Sequence, residues 1–456
     1  MKESFRGLLS DSKFYKNLLK VALPIIIQNF IASSLNLIDT IIVGRLGETE
    51  IASVGIANQF MVLFNIIAFG IFSGSGIFIS QFWGKRDIKN IKKVLGVSLV
   101  AGVTLAVIFT IIALIIPHKI IEIFNTDPNV IRLGSKFLRI ACLSYVFSAV
   151  TFTFAVASRF IEKASISMSV SAVALLSNTL LNYVFVFGKF GAPALGVSGS
   201  ALATVIARII EMIIMVTYIY KTNNILATKF SDFMDISKSF IIRLFKTIIP
   251  VVLNEACWGL GIVVYSVAYG RIGTQAMASV QISNTIQNLF MVLIFGVASS
   301  ATVMIGKKIG AGDEEAGKLY ARRFAVLGAV VGIVLGFILW ISAPSILSFF
   351  KVSESVSHDS LLMLYISAVV LAIKMFNIIL IVGILRGGGD TKFSFIAEAL
   401  TMWGIGVPLA FIGALLLKLP VYLVFAMIAI EEIVKCIIGI WRLKSNRWVR
   451  NVIHNM

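Results

Sequence analysis

Twelve stretches of mostly apolar residues, each long enough to cross a bilayer, run along this 456-residue chain: 20–43, 54–80, 95–116, 137–157, 166–187, 195–217, 244–269, 277–305, 324–344, 361–385, 394–417 and 420–441. A span needs about 20 such residues to cross about 30 Å of hydrocarbon. With no water in the hydrocarbon, backbone polar groups must be satisfied internally, which leaves helices or closed barrels. The runs are about twice the length of a barrel strand and show no period-two alternation. The predicted fold is therefore all-α and polytopic, with twelve transmembrane helices. The longest polar connections, 218–243 and 306–323, are too short for a sizeable soluble domain.

Charge placement sets the expected topology. The chain is 58% hydrophobic and only 14% charged, yet its formal net charge is +18. In a soluble protein that excess would suggest nucleic acid. Here the six loops after odd-numbered spans hold 8 Lys and Arg in all, and the even loops and termini hold about three times as many. Such a bias places both termini and the even loops in the cytoplasm. Basic clusters such as Lys85, Arg86, Lys89, Lys92 and Lys93 then face anionic lipid headgroups. No nucleic-acid partner is expected. The polar start, MKESFRGLLSDSKFYKN, has no apolar core before a small-residue cleavage site. The first span is thus expected to direct insertion into the cytoplasmic membrane.

Sliding the chain on itself by 226 residues aligns Leu19–Asp87 with Phe245–Asp313 without a gap, with 18 identities over 69 positions. The pairs include Pro24 with Pro250, Gly47 with Gly273 and Asp87 with Asp313. The chain reads as two homologous six-helix bundles, 1–220 and 244–456, joined by a cytoplasmic linker at 221–243. An even number of helices per half relates the halves by an axis along the membrane normal, as in parallel-repeat transporters.

An ionised side chain at mid-bilayer costs about 2.5 to 3.5 kcal/mol on insertion scales, so each one needs a partner or a task. Asp39, in SSLNLIDTIIVG, is a candidate switch between a protonated and a cation-paired state. Asn178 and Asn182 share a helix face four residues apart. Their amides suit a Na⁺ site with Asp39, a hydrogen bond to that carboxyl, or simple gluing of helices. Thr204 is a further candidate oxygen. In the second half, Glu255 occupies the repeat column of Asn29, and Asp39 pairs with Tyr265. Lys374 is either a counter-ion for Glu255 or Asp39 or a snorkelling charge. Arg208 with Glu211, and Glu431 with Lys435, read as self-neutralised pairs, and Gly328, Gly332 and Gly336 as a close-packing face.

No phosphate loop, HExxH or GxSxG motif occurs, and Cys142, Cys257 and Cys436 have unrelated spacings within apolar spans. These observations argue against an enzyme, an ATPase and a disulfide framework.

The segments LIDTIIVGRLGETEIASVGIA, LLNYVFVFGKFGAPALGVSGSALAT, VVLNEACWGLGIVVYSVAYGRIGTQAMASVQI and GILRGGGDTK resemble multidrug and toxic compound extrusion (MATE) transporters of prokaryotic type. That resemblance implies a V-shaped pair of six-helix lobes and alternating-access export of amphipathic organic cations in exchange for H⁺ or Na⁺. It also implies cation coupling at Asp39 with Asn178, Asn182 and Thr204, and matches Glu255 to a glutamate of the second lobe, whereas the helix 10 aspartate of one subfamily is Met375 here, next to the charge of Lys374. A monomer is expected, with small-molecule substrates and membrane lipids as partners and no cofactor beyond the coupling ion. The alternatives are a lipid or polysaccharide-precursor flippase of the same superfamily, or a non-transporting receptor or channel.

Overall fold

The computed structural model describes residues 11–228, 232, 236–350, 352–454 and 456, with Asn36 described in its backbone only. Lys229 and Ser231, two of the expected linker residues, lie outside them. The described residues form helices and no strands. In chain order these are α1 Ser12–Gly44, α2 Glu48–Lys85, α3 Ile88–Ile115, α4 Pro117–Glu122, α5 Pro128–Ala141, α6 Ser144–Phe160, α7 Ala164–Phe187 and α8 Val197–Lys221. They continue as α9 Lys238–Ile272, α10 Thr274–Gly310, α11 Glu314–Leu347, α12 Glu354–Ile378, α13 Thr391–Thr401, α14 Val407–Phe411 and α15 Val421–Lys444.

Ten helices among the described residues are long and apolar enough to cross a membrane. The fourth expected span is an eleventh, split into α5 and α6, which meet at 49° around buried Cys142. The twelfth, α15, has the length but carries Glu431, Glu432 and Lys435 in its middle. The protein is a multi-pass, all-helical membrane protein.

Two compact units divide the chain: Leu23–Ile248, and Ile249–Met456 together with the start of the chain up to Ala22. The sequence places everything from residue 1 to 220 in the N-terminal half. In the structure the start of α1 belongs with the C-terminal unit, where Phe14 is fully buried against Tyr320 and Phe324 of α11. Asp11 caps α1 by accepting from the Phe14 amide and meets Arg323 at 2.5 Å. Both boundaries fall just before the repeated prolines Pro24 and Pro250, which sit inside α1 and α9 and remove one helical hydrogen bond each.

The repeat is visible in local geometry. Gly47 and Gly273 precede α2 and α10 with the same backbone angles, φ 149° and ψ 172°, a conformation that residues with a Cβ rarely adopt. Asp87 and Asp313 cap α3 and α11 through the same side-chain bond to the third residue on. Gly328, Gly332 and Gly336 lie against α12: a Cβ on Gly332 would stand 2.6 Å from Cα of Ala372. π-helical turns interrupt the C-terminal unit at Ile379–Leu385, Met402–Gly406 and Ile412–Leu416. The second and third flank α14, whose Pro408 cannot donate to the ladder.

Candidate functional site

In the N-terminal unit, α1, α7 and α8 bring Asp39, Asn178, Asn182 and Thr204 together. The Asn182 amide donates to the Asp39 carboxylate at 2.6 Å, and the Asn178 amide donates to the Thr204 hydroxyl at 3.5 Å. Both asparagines are buried, and the side-chain carbonyl oxygen of each is buried with no hydrogen-bond partner. A buried carbonyl left unpaired costs about 1 to 3 kcal/mol, so two of them on one helix face form an acceptor site that a cation or an O–H donor would satisfy. Arg208 of α8 is the basic residue whose charge acts on Asp39. Asp39 stands five residues before the end of α1, so this site lies toward one end of the unit rather than at the helix centre.

Arg208 also pairs with Glu211 at 2.6 Å, as its spacing suggested, but Glu211 is not confined to that pair. It accepts from Ser171 at 3.4 Å, and Ser171 in turn accepts from the Gln28 amide at 3.2 Å. The Gln28 carbonyl receives a fork from Arg159, at 3.0 and 2.8 Å, and a third bond from Ser167. A polar chain thus runs from Arg159 on α6 through α1 and α7 to Glu211 and Arg208 on α8. Sequence reasoning missed Gln28 and Arg159. Arg159 was countable as a charge in the apolar stretch FTFAVASRF, but nothing local identifies its acceptor 131 residues away.

The C-terminal unit corrects two expectations. Glu255 and Lys374 do not meet: Glu255 pairs with Arg386 at 2.6 Å, and Arg386 also donates to Asn254. Lys374 lies 3.5 Å from the Gln287 carbonyl, within the field of Glu432, Glu431 and Lys435. The arginine of GILRGGGDTK, which directly follows the π-turn Ile379–Leu385 and is 1% exposed, is therefore the counter-ion of Glu255. Asp390 of the same motif pairs with Arg442 at 2.7 Å and Arg450 at 3.1 Å. Glu431 and Lys435 do pair at 2.7 Å, yet Lys435 is shared with Glu398 at 2.9 Å, so this is a cluster rather than an isolated pair.

Residues 24–184 and 250–412 each match the MatE family, and the two matches begin at the repeat-related Pro24 and Pro250. The chain belongs to the MatE family. Among its relatives, the transporter YisQ of Bacillus subtilis is 25% identical over 439 residues, covering 95% of both chains. The probable multidrug resistance protein NorM of Agrobacterium fabrum is 25% identical over 408 residues, covering 87% of this chain and 86% of its own. Among solved structures, the Vibrio cholerae MATE transporter VcmN, determined as a point mutant, superposes with a TM-score of 0.88 at 16% identity, covering 97% of this chain and 98% of its own. A MOP superfamily transporter from Pyrococcus furiosus gives 0.86 at 20% identity, with 95% and 96% covered. The MatE fold is thus shared at low identity, with the positions of Asp39, Asn178 and Asn182 set by α1 and α7 of this chain.

Proposed function

We propose that the protein is a secondary multidrug efflux antiporter. It exports amphipathic, mainly cationic compounds across the cytoplasmic membrane in exchange for H⁺ or Na⁺ by alternating access. Membership of a transporter family supports the first part, and relatives named as probable multidrug resistance proteins support the substrate class. Both termini lie in the cytoplasm on this reading, as the Lys and Arg bias requires. No enzymatic step is involved, and the working unit is a monomer in contact with membrane lipid.

The observation that carries ion coupling is the Asp39–Asn182 bond beside two unpartnered buried amide oxygens. A carboxylate with amide and hydroxyl oxygens around it offers hard ligands to Na⁺ and a single strong base to H⁺. When the site is loaded the local charge is cancelled, and when it is empty the carboxylate leans on Asn182 and the field of Arg208. The two conditions favour different arrangements of α1 against α7 and α8, and that difference is what an ion gradient needs in order to bias transport. Glu255 neutralises Arg386 and serves structure, so Asp39 rather than Glu255 is assigned the coupling step. Dye efflux from proteoliposomes under separately imposed Na⁺ and pH gradients tests the reading. Gradient-driven efflux supports antiport and names the ion, and efflux insensitive to both gradients refutes it.

A further inference from the structure

A second set of ionisable groups is enclosed in the C-terminal unit. Lys435 of α15 stands between three carboxylates: Glu398 of α13 at 2.9 Å, Glu431 at 2.7 Å and Glu432 at 3.8 Å. Glu431 also accepts from the Tyr265 hydroxyl at 2.5 Å. Glu432 accepts from the Asn377 amide at 2.7 Å. Lys374 is the second cation: it lies on the same face of α12 as Asn377, three residues on, whose amide holds Glu432, and its ammonium stands 3.5 Å from the Gln287 carbonyl. Neutral titratable side chains complete the surroundings: Tyr265, Tyr269 and Cys257 from α9, and Cys436 from α15. Glu255 on α9 is taken by Arg386, and α11, which packs on α12, has no titratable residue between Phe324 and Leu347.

Three carboxylates face two ammonium groups, so the ionised cluster carries one uncompensated negative charge; Lys435, Glu398 and Glu431 are only 5 to 9% exposed, Glu432 is 19% exposed and Lys374 is half-buried. An unbalanced buried charge is costly. Lys435 already fills the space between the carboxylates, so an alkali ion would have to displace it, whereas a proton needs one oxygen. Glu432 supplies that oxygen. Its Oε1 is beyond hydrogen-bond reach of Lys435, and its side chain is the most accessible of the three. A separate observation points the same way. Asn377, 2% exposed, holds Glu432 with its amide nitrogen, while its carbonyl oxygen is buried with no donor. A protonated carboxyl brings an O–H donor to that neighbourhood. The π-turn at Met402–Gly406 brings Gly406 against Tyr265 and Glu431; such turns recur at functional sites.

We propose that Glu398, Glu431 and Glu432, balanced by Lys374 and Lys435, hold one exchangeable proton that enters at Glu432, forming a proton-loading site separate from Asp39. Its use in export rests on the antiport reading; the proton itself does not. The test is an infrared pH titration of carboxyl bands in the full chain reconstituted in liposomes, with each variant first shown to be monodisperse. On an Asp39→Asn background, one buried carboxyl equivalent should still titrate above the range of the exposed carboxylates. Glu432→Gln should remove it, and so should Glu398→Gln, because either leaves two carboxylates facing two ammonium groups. Lys374→Gln should instead add a second protonated carboxyl, a change that a purely structural lysine would not produce and that decides the matter if Glu432→Gln fails to fold. Unchanged band areas in the glutamine variants or in Lys374→Gln overturn the proposal. So does displacement of the step when Na⁺ replaces K⁺ at fixed pH, which would assign an alkali ion. If gradient-driven efflux is absent while these bands behave as stated, the antiport reading fails and the proton site stands.

Discussion

The amide of Asn182 donates to the carboxylate of Asp39 across 2.6 Å, joining α1 to α7 over 143 positions of sequence. Asp39→Asn keeps the side-chain volume and removes the group that can exchange an ion. It is expected to bring gradient-driven efflux in everted vesicles down to the empty-vector level while membrane yield stays at the wild-type value. Efflux at the wild-type rate would refute the assignment.

Asn182→Leu removes the donor and leaves the Asp39 carboxylate without its partner. The loss of such a bond to a charged group is worth about 1.5 to 3 kcal/mol, or about 10- to 150-fold in an equilibrium. Export under a fixed gradient should fall by about that range. Asn178→Leu, which touches Thr204 rather than Asp39, should cost less in the same assay.

Gly336 approaches the Ala368 carbonyl of α12 so closely that a Cβ has no room. Gly336→Val should therefore separate α11 from α12 and lower the thermal midpoint in detergent by the equivalent of about 1 to 3 kcal/mol. Gly404→Ala meets nothing within 4 Å and serves as the neutral control.

Trp448, 1% exposed, packs on Gly388 of the RGGGD turn, and the Arg450 amide donates to the Gly388 carbonyl at 2.7 Å. The tail after α15 is thus a clamp on that turn. Trp448→Ala should cost about 3 to 5 kcal/mol, read as a lower melting temperature and faster proteolysis near Arg450. A melting temperature within a degree or so of wild type would show that the tail is dispensable.

Asp11 lies outside the apolar part of α1, and its carboxyl is held below the usual carboxylate range, first by the Phe14 amide and then by Arg323. A carboxyl lowered in the folded state contributes stability at higher pH that is lost as pH falls through its folded value. Wild-type melting temperature should therefore drop below roughly pH 4. Asp11→Asn retains the helix cap, and Arg323 has further contacts, so the cost at neutral pH should be about 1 kcal/mol or less. The variant should also lose part of the acid-dependent drop.

Hydropathy, the repeat and the proline and glycine positions made the helical membrane fold legible, because each depends on local chemistry: apolar length, a missing N–H, a φ open only to glycine. The family was legible for the same reason. Asp39 and its two asparagines were readable as charges and amides in costly places, and that argument needs one helix at a time. Pairing was not readable. Glu255 matched Lys374 on charge alone, but the packing after the π-turn leaves Arg386 buried and makes it the partner of Glu255. Arg159 reaches Gln28, and Glu398 joins Lys435, over distances in sequence that no periodicity encodes. The sequence thus determined which residues sit in the hydrocarbon. Only the packing of one helix on another decided which charges cancel, because Coulomb and hydrogen-bond energies depend on a few ångströms that are set by tertiary contact.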